Sequence, residues 1–263
     1  MDMQTATSPA EVYDQHFVPA LFEHWGKTVA SIADIGPGEH VLDVACGTGV
    51  LACAAAELVG STGTVTGLDP NGDMLAVARR KSDIIQWKSG LAESIPFTDE
   101  RFDVVVSQFG FMFFEDQYVA LREMMRVLKP GGKMAVAVCG GLDHSPGYAV
   151  LAELLHRLFG EPVAQAFRAP FSCGDRLRLR TLCDDAGITQ AKITQHDGPV
   201  HFDSITSLVS TERACVWTLG GLLNSAQFDR LLDEAEETLQ PFVTDDGKVT
   251  FNMPALIITA TKA

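Results

Sequence analysis

The sequence predicts an α/β fold, a mostly parallel sheet with helices on both faces. Three observations predict it. From residue 40 to residue 138, short apolar runs alternate with amphipathic or alanine-rich stretches, the pattern of repeated β-α-β units. The first apolar run leads into a glycine turn, Val-Leu-Asp-Val-Ala-Cys-Gly-Thr-Gly (41–49). The second, residues 64–68, ends in a carboxylate, Asp69. That layout suits a nucleoside cofactor.

Length and composition narrow the function classes. The 263 residues suffice for a single large α/β domain, and 46% hydrophobic content supports a proper core. A net charge of −14 repels phosphate backbones and anionic membrane surfaces, so no nucleic-acid partner is expected. The six cysteines form no CxxC pair and no histidine pair has zinc spacing, so no metal site is expected. The first nine residues are polar and lack a signal core. No apolar run reaches the roughly 20 residues that span a bilayer. These features favour a reduced, cytoplasmic location without membrane insertion.

The elements follow in order. Residues 9–35 read as helix: Tyr13, Phe17, Leu21 and Trp25 recur at four-residue steps. Pro19 predicts a kink or break within it, and Gly36-Pro37-Gly38 stops it. A strand at 41–45 and a helix at 49–59 come next. A strand at 64–68 precedes a helix at 71–81 with Asn71 as N-cap. Short strands are expected at 84–87 and 102–107. A helix at 118–128 presents Tyr118, Leu121, Met125 and Leu128 on one face. Lys129-Pro130-Gly131-Gly132 ends it, and a strand covers 133–138. Helices are expected at 147–159 and 174–186, the second stopped by Gly187, then a strand at 190–196. Residues 198–248 read as an inserted helical cap, with helices near 203–219 and 224–240. The last β run, 248–261, carries Pro254, which predicts an edge position or a bulge.

Two cofactors compete for the glycine turn. Gly47-Thr48-Gly49-Val50-Leu51-Ala52 satisfies GxGxxA, and Asp69 lies 22 residues after Gly47, so a nicotinamide dinucleotide is one reading. Asp43, inside the first strand, favours a different one. A buried carboxylate costs several kcal/mol, roughly, unless something pairs with it. A pyrophosphate would add negative charge beside it, whereas the ammonium of S-adenosylmethionine would relieve it. Asp69 can accept from ribose hydroxyls in either case. The turn Gly90-Leu91-Ala92-Glu93 can offer backbone groups to an adenine edge.

Five stretches in order resemble the class I S-adenosylmethionine-dependent methyltransferases, in particular the small-molecule group that includes ubiquinone and menaquinone biosynthesis enzymes. They are residues 41–49, Gly-Leu-Asp-Pro (67–70) with Met74-Leu75, Ala-Glu-Ser-Ile-Pro-Phe (92–97), Phe-Asp-Val-Val-Val-Ser (102–107) and Arg-Val-Leu-Lys-Pro-Gly-Gly (126–132). The resemblance implies a Rossmann-like, seven-stranded sheet with an antiparallel last strand. It implies a cofactor-binding core at 39–140 and a helical lid at 1–38. It also implies S-adenosylmethionine as cofactor, held by Asp43, Ala45, Gly47, Gly49, Asp69, Pro70, Met74, Leu91 and Ala92. Two positions depart from the family pattern: Ala45 stands where a glycine is common, and Leu91 where an acid is common. The Ala92 backbone is therefore expected to hold the adenine edge, with Glu93 either substituting for the missing acid or facing solvent.

The acceptor side is read from residues beyond the motif. Gln108 ends the fourth strand and is expected to contact the methionine part of the cofactor. Phe109 and Met112 follow it and either fill core or touch the acceptor. Tyr13 and Phe17 either close over the cofactor as a lid or belong to plain amphipathic packing. His144, just past the fifth strand, is the candidate general base; His196 and His201 are weaker ones. Trp217 with Leu219, Leu222 and Leu223 marks an apolar patch on the cap. The expected function is methyl transfer to an O, N or C atom of a small, partly hydrophobic or aromatic metabolite. An NAD(P)-dependent oxidoreductase and a non-catalytic S-adenosylmethionine- or metabolite-binding protein are the alternatives.

Overall fold

Seven strands form one sheet in the order β3-β2-β1-β4-β5-β9-β6. The computed structural model describes residues 8–215 and 218–263. The strands are β1 (His40–Val44), β2 (Thr64–Asp69), β3 (Gln86–Ser89), β4 (Phe102–Gln108), β5 (Leu128–Cys139), β6 (Lys192–His196) and β9 (Ala255–Thr261). β1 to β5 run parallel, and β9 is antiparallel to both β5 and β6. Helices α3 (Val50–Val59), α4 (Gly72–Lys81), α5 (Gln117–Val127) and α8 (Arg176–Asp185) connect or flank them. Val41, Leu42 and Val104 to Val106 are fully buried, as strands covered on both faces require. Register places Val44 beside Leu68 and Asp43 beside Val106. The carboxyl ends of β1, β2 and β4 thus meet at one edge, where open α/β sheets bind ligands.

The N-terminal segment is helical throughout, and Pro19 does not break it. α1 (Pro9–Val12) passes into a π-helix, Tyr13–Phe22, and then α2 (Glu23–Ile32). The wider turn absorbs Pro19, which has no amide to donate. Glu11 pairs with Arg80 at 2.8 Å, and Asp14 pairs with Lys81, so the segment is tied to α4.

Several expected elements shift. β3 starts two residues later than expected and leaves Ile84 exposed; an edge strand has one ladder partner, and apolar content marks it poorly. On α5 the buried face is Ala120, Leu121, Met124 and Val127, while Tyr118 is exposed and its hydroxyl accepts from Arg122. Two apolar stripes overlap on this helix, and the amphipathic tyrosine takes the wet side. Pro254 neither sits at an edge nor bulges a strand. It divides the last β run into β8 (Val249–Asn252) and the central β9, because it has no amide for the ladder.

A second layer covers the carboxyl edge and is wider than residues 198–248. It comprises α6 (Pro146–Phe159), α7 (Glu161–Arg168), β7 (Pro199–Phe202), α9 (Ile205–Ala214), α10 (Ser225–Thr238) and β8. β7 and β8 form a separate antiparallel pair. This layer has its own core, in which Phe17 and Leu21 of the π-helix join Leu151, Leu155, Phe167, Leu208, Leu231 and Phe251. Lid and cap are therefore one apolar unit. Among the described residues, no helix is long and apolar enough to cross a membrane.

One glycine in the first turn answers a close approach. Gly49 has φ 86°, and a Cβ there would lie 2.5 Å from Trp87 Cη2. Gly49→Ala is expected to destabilise the fold by about 2 kcal/mol or more, from left-handed strain and the clash. Gly72→Ala, where a Cβ would meet nothing within 4 Å, is expected to be near neutral. Urea unfolding of both variants checks the contrast.

Candidate functional site

A cavity of about 510 Å³ lies between the carboxyl ends of the strands and the lid and cap. That is within the range of small-ligand sites. Of the residues expected from sequence, Tyr13, Phe17, Asp43, Ala45, Gly47, Asp69, Pro70, Met74, Leu91, Ala92 and Gln108 all line it, as do Phe109 and Met112. Gly49 does not line it; its place is against Trp87.

At the strand end the turn is held by its own acids. Asp69 Oδ2 accepts from the Gly47 amide and Oδ1 from the Asn71 amide, each at 2.8 Å. Burial raises the Asp69 pKa, and those two bonds oppose the rise. Ala45 adopts φ 58° and Phe109 φ 53°, left-handed conformations that concentrate at functional sites. The loop after β4 passes so close that a Cβ on Gly110 would lie 2.5 Å from that of Ala45.

Asp43 is 1% exposed. Burial pushes its pKa well up, and the neighbouring Asp69 adds to the rise. The Ala52 amide, in the first turn of α3, offsets this in part, but neither carboxylate oxygen has a well-formed hydrogen bond. An acid in this state awaits a cationic or donor partner.

The loop after β3 is fixed from behind. Arg126 donates to the carbonyls of Ile95 and Phe97, both at 2.9 Å, and Glu123 accepts from the Ile95 amide. Leu91 is 52% exposed at the cavity mouth while Ala92 is buried. Glu93 does more than face solvent: its Oε1 accepts from the Glu115 amide at 2.8 Å, joining the loops after β3 and β4.

Gln108 is partly committed elsewhere. Its Nε2 donates to the carbonyl of Phe22 at 3.1 Å, at the end of the π-helix, and its Oε1 is buried without a partner. It fastens the lid to β4. Tyr13 stacks on Phe17 and Phe22, with ring centroids 5.9 and 5.7 Å away, and Phe22 meets Phe109 at 5.2 Å. The lid is an aromatic wall.

His144 lies outside the cavity. Its Nδ1 is 2.8 Å from Asp143 Oδ1, and the ring is largely exposed in a separate shallow groove. The short helical turn at Leu142–His144 carries it out to the surface. His196 and His201 pair with Thr194 and Thr250 and do not line the cavity either. Trp217 lies outside the described residues; Leu219 and Leu223 are cap core, and Leu222 is exposed.

Sequence reasoning missed Glu212 on α9. It is 2% exposed and lines the cavity with Tyr148, Cys139 and Thr218. Burial raises its pKa to about 7, and hydrogen bonding from the Thr218 and Tyr148 hydroxyls opposes the rise. Oε2 has no partner. A signal existed: Glu212 follows Leu208 by four residues and Val209 by three, so it falls on the buried stripe of its helix.

Residues 42–136 match the family described as "Methyltransferase domain". Over that stretch the chain is similar to methyltransferase domains. It is similar to a demethylmenaquinone methyltransferase of Bacillus cereus, with 36% identity over 152 residues, covering 55% of this chain and 64% of the relative. The match thus spans less than two thirds of that relative's length. Two solved structures share the fold of the methyltransferase domain. The YcgJ protein of Bacillus subtilis has TM-score 0.60 and 19% identity, covering 91% of this chain and 98% of its own. Phosphoethanolamine N-methyltransferase 2 of Haemonchus contortus was solved with phosphomonomethylethanolamine and S-adenosylhomocysteine. It has TM-score 0.61 and 18% identity, covering 98% of this chain and 58% of its own.

The raised Glu212 makes stability depend on pH. Its folded pKa of about 7 exceeds the ordinary 4.5, so the folded state holds the proton more tightly. That contribution is fully present below about 4.5 and is lost as pH rises through about 7. Glu212→Gln, which keeps an acceptor for Tyr148, is expected to gain stability relative to the unmodified chain by about 2.5 kcal/mol between pH 5 and pH 8. Urea unfolding at both pH values measures it; parallel profiles would refute it.

Proposed function

We propose that the protein transfers a methyl group from S-adenosylmethionine to an O, N or C atom of a small acceptor with an apolar or aromatic body. The observation that carries this reading is Asp43, a buried carboxylate without a good partner at the carboxyl end of β1. The residues present fit the cofactor. Asp43 would take its ammonium, and the spare lone pairs of Asp69 its ribose hydroxyls. The Leu91–Ala92 turn would take its adenine edge. Bound there, S-adenosylmethionine supplies an electrophilic sulfonium methyl group. The chain positions the acceptor and, through Tyr13, Phe17 and Phe22, keeps water out. The named substrate of the Bacillus cereus relative, demethylmenaquinone, supports a small, largely apolar acceptor here. We place the reaction in the cytoplasm, where cysteine thiols stay reduced.

Calorimetric titration with S-adenosylhomocysteine and with NADH tests the cofactor. Binding of the first is expected; tight NADH binding without it would reverse the reading. Labelled-methyl transfer into a metabolite extract then tests the reaction, and binding without transfer to any acceptor would mark a non-catalytic binder. Asp43→Asn is expected to weaken S-adenosylhomocysteine binding by about 10- to 100-fold. The ligand-free variant is expected to be no less stable, since an unpaired buried acid becomes neutral. Unchanged affinity together with lost stability would show that Asp43 serves the fold instead.

A further inference from the structure

Glu212 is built into its position. Its backbone carbonyl accepts from the Cys215 amide at 3.2 Å, the Leu219 amide at 3.3 Å and the Thr218 hydroxyl at 3.0 Å. Three donors on one carbonyl fix the last turn of α9 where the carboxylate enters the cavity. Tyr148 is itself buried and wedged against Phe167 and Phe251, with centroids 5.7 and 5.0 Å away. The Thr218 and Tyr148 hydroxyls both interact with the carboxylate. Oε2 is left buried, aimed at the cavity and unsatisfied. A native protein keeps such an atom only for a reason.

The charge of the walls supplies the second observation. Among the described lining residues the ionisable acids are Asp43, Asp69, Glu93, Glu115 and Glu212, and no lysine, arginine or histidine is present. Asp43 and Asp69 sit at the strand end. Glu212 comes from α9 of the cap, with Tyr148 beside it and Phe167 packed against Tyr148. An anionic acceptor there would meet a carboxylate and no cation. The Haemonchus contortus enzyme was solved with phosphomonomethylethanolamine, which carries a phosphate; among the described residues lining this cavity there is no basic side chain to hold one.

We propose that the cap end of the cavity selects neutral or cationic acceptors that present an N–H or O–H donor to Glu212 Oε2, and excludes anionic ones. The proposal names the acceptor class of the methyl-transfer reading and rests on it. The acceptor's apolar body lies against Tyr148 and Phe167, and its donor completes the carboxylate that Thr218 and Tyr148 leave half-satisfied. A cationic amine gains most, through a charge-assisted bond and the aromatic faces.

The test is calorimetry on the full chain saturated with S-adenosylhomocysteine. The probes are benzylamine (a cation with N–H), 4-methylphenol (a neutral O–H donor), 4-methylanisole (the same body without the donor) and phenylacetate (an anion). Benzylamine and 4-methylphenol are expected to bind about tenfold or more tighter than 4-methylanisole and phenylacetate. Glu212→Gln retains an acceptor for Tyr148. It is expected to cut benzylamine binding about tenfold or more while leaving S-adenosylhomocysteine affinity unchanged. A purely structural Glu212 would leave the probe ranking intact in the variant. Phenylacetate binding as tightly as benzylamine, an unchanged ranking in Glu212→Gln, or no probe binding at all would each overturn the proposal. Failure of S-adenosylhomocysteine to bind the unmodified chain would instead overturn the methyl-transfer reading. If Glu212→Gln is poorly folded by circular dichroism, Glu212→Asp takes its place; keeping the charge on a shorter arm, it should retain preference for benzylamine over phenylacetate.

Discussion

Unpartnered carboxyl groups held out of water around one cavity are the constraint on which the site depends. Asp43 and Glu212 are both almost fully buried, and each has an oxygen without a partner. Each raises the energy of the folded chain when ionised. A fold tolerates that only where the surroundings leave the groups no way to turn toward water. Asp43 cannot turn because it lies within a strand paired on both sides. Glu212 cannot because three donors hold its backbone carbonyl. The rest of the molecule supplies the packing that keeps them in place.

That packing is shared between two cores. The sheet core holds β1, β2 and β4 in register, so their carboxyl ends form one floor. The cap core forms the roof, and the π-helix belongs to it through Phe17 and Leu21. Gln108 joins floor to roof through the Phe22 carbonyl. Opening the lid therefore means breaking that bond and separating Phe22 from Phe109, not merely swinging a loop. The ion pairs of Glu11 and Asp14 with α4 are partly exposed and contribute little by comparison.

The strained residues lie where floor meets roof. Ala45 and Phe109 both take left-handed backbone at adjacent strand ends. Ala45, where the family commonly has glycine, keeps the turn at the expense of about 1–2 kcal/mol of backbone strain. Gly110 is required above it because a side chain would strike the Ala45 methyl group. Ala45 and Gly110 are thus one local solution, a methyl group accommodated by a neighbouring glycine.

Local sequence determined the strand-end half of the cavity. An apolar run, a glycine turn and a terminal acid are adjacent in the chain, and periodicity places them on strands with little ambiguity; Asp43, Gly47 and Asp69 were legible for that reason. The order of the helices between the strands was legible too, because each carries its own apolar period, and α4 begins at its local cap, Asn71. What only the tertiary structure decided is the roof. Lid, α6, α7, α9 and the β7–β8 pair come from four separated stretches, and nothing local says that they meet. His144 sits just past a strand end and still points away. Glu212 sits in a polar-looking run more than 160 residues from Asp43, by sequence numbering, and faces the same cavity. A residue's burial depends on what packs over it, and for the acceptor half that covering arrives from distant segments.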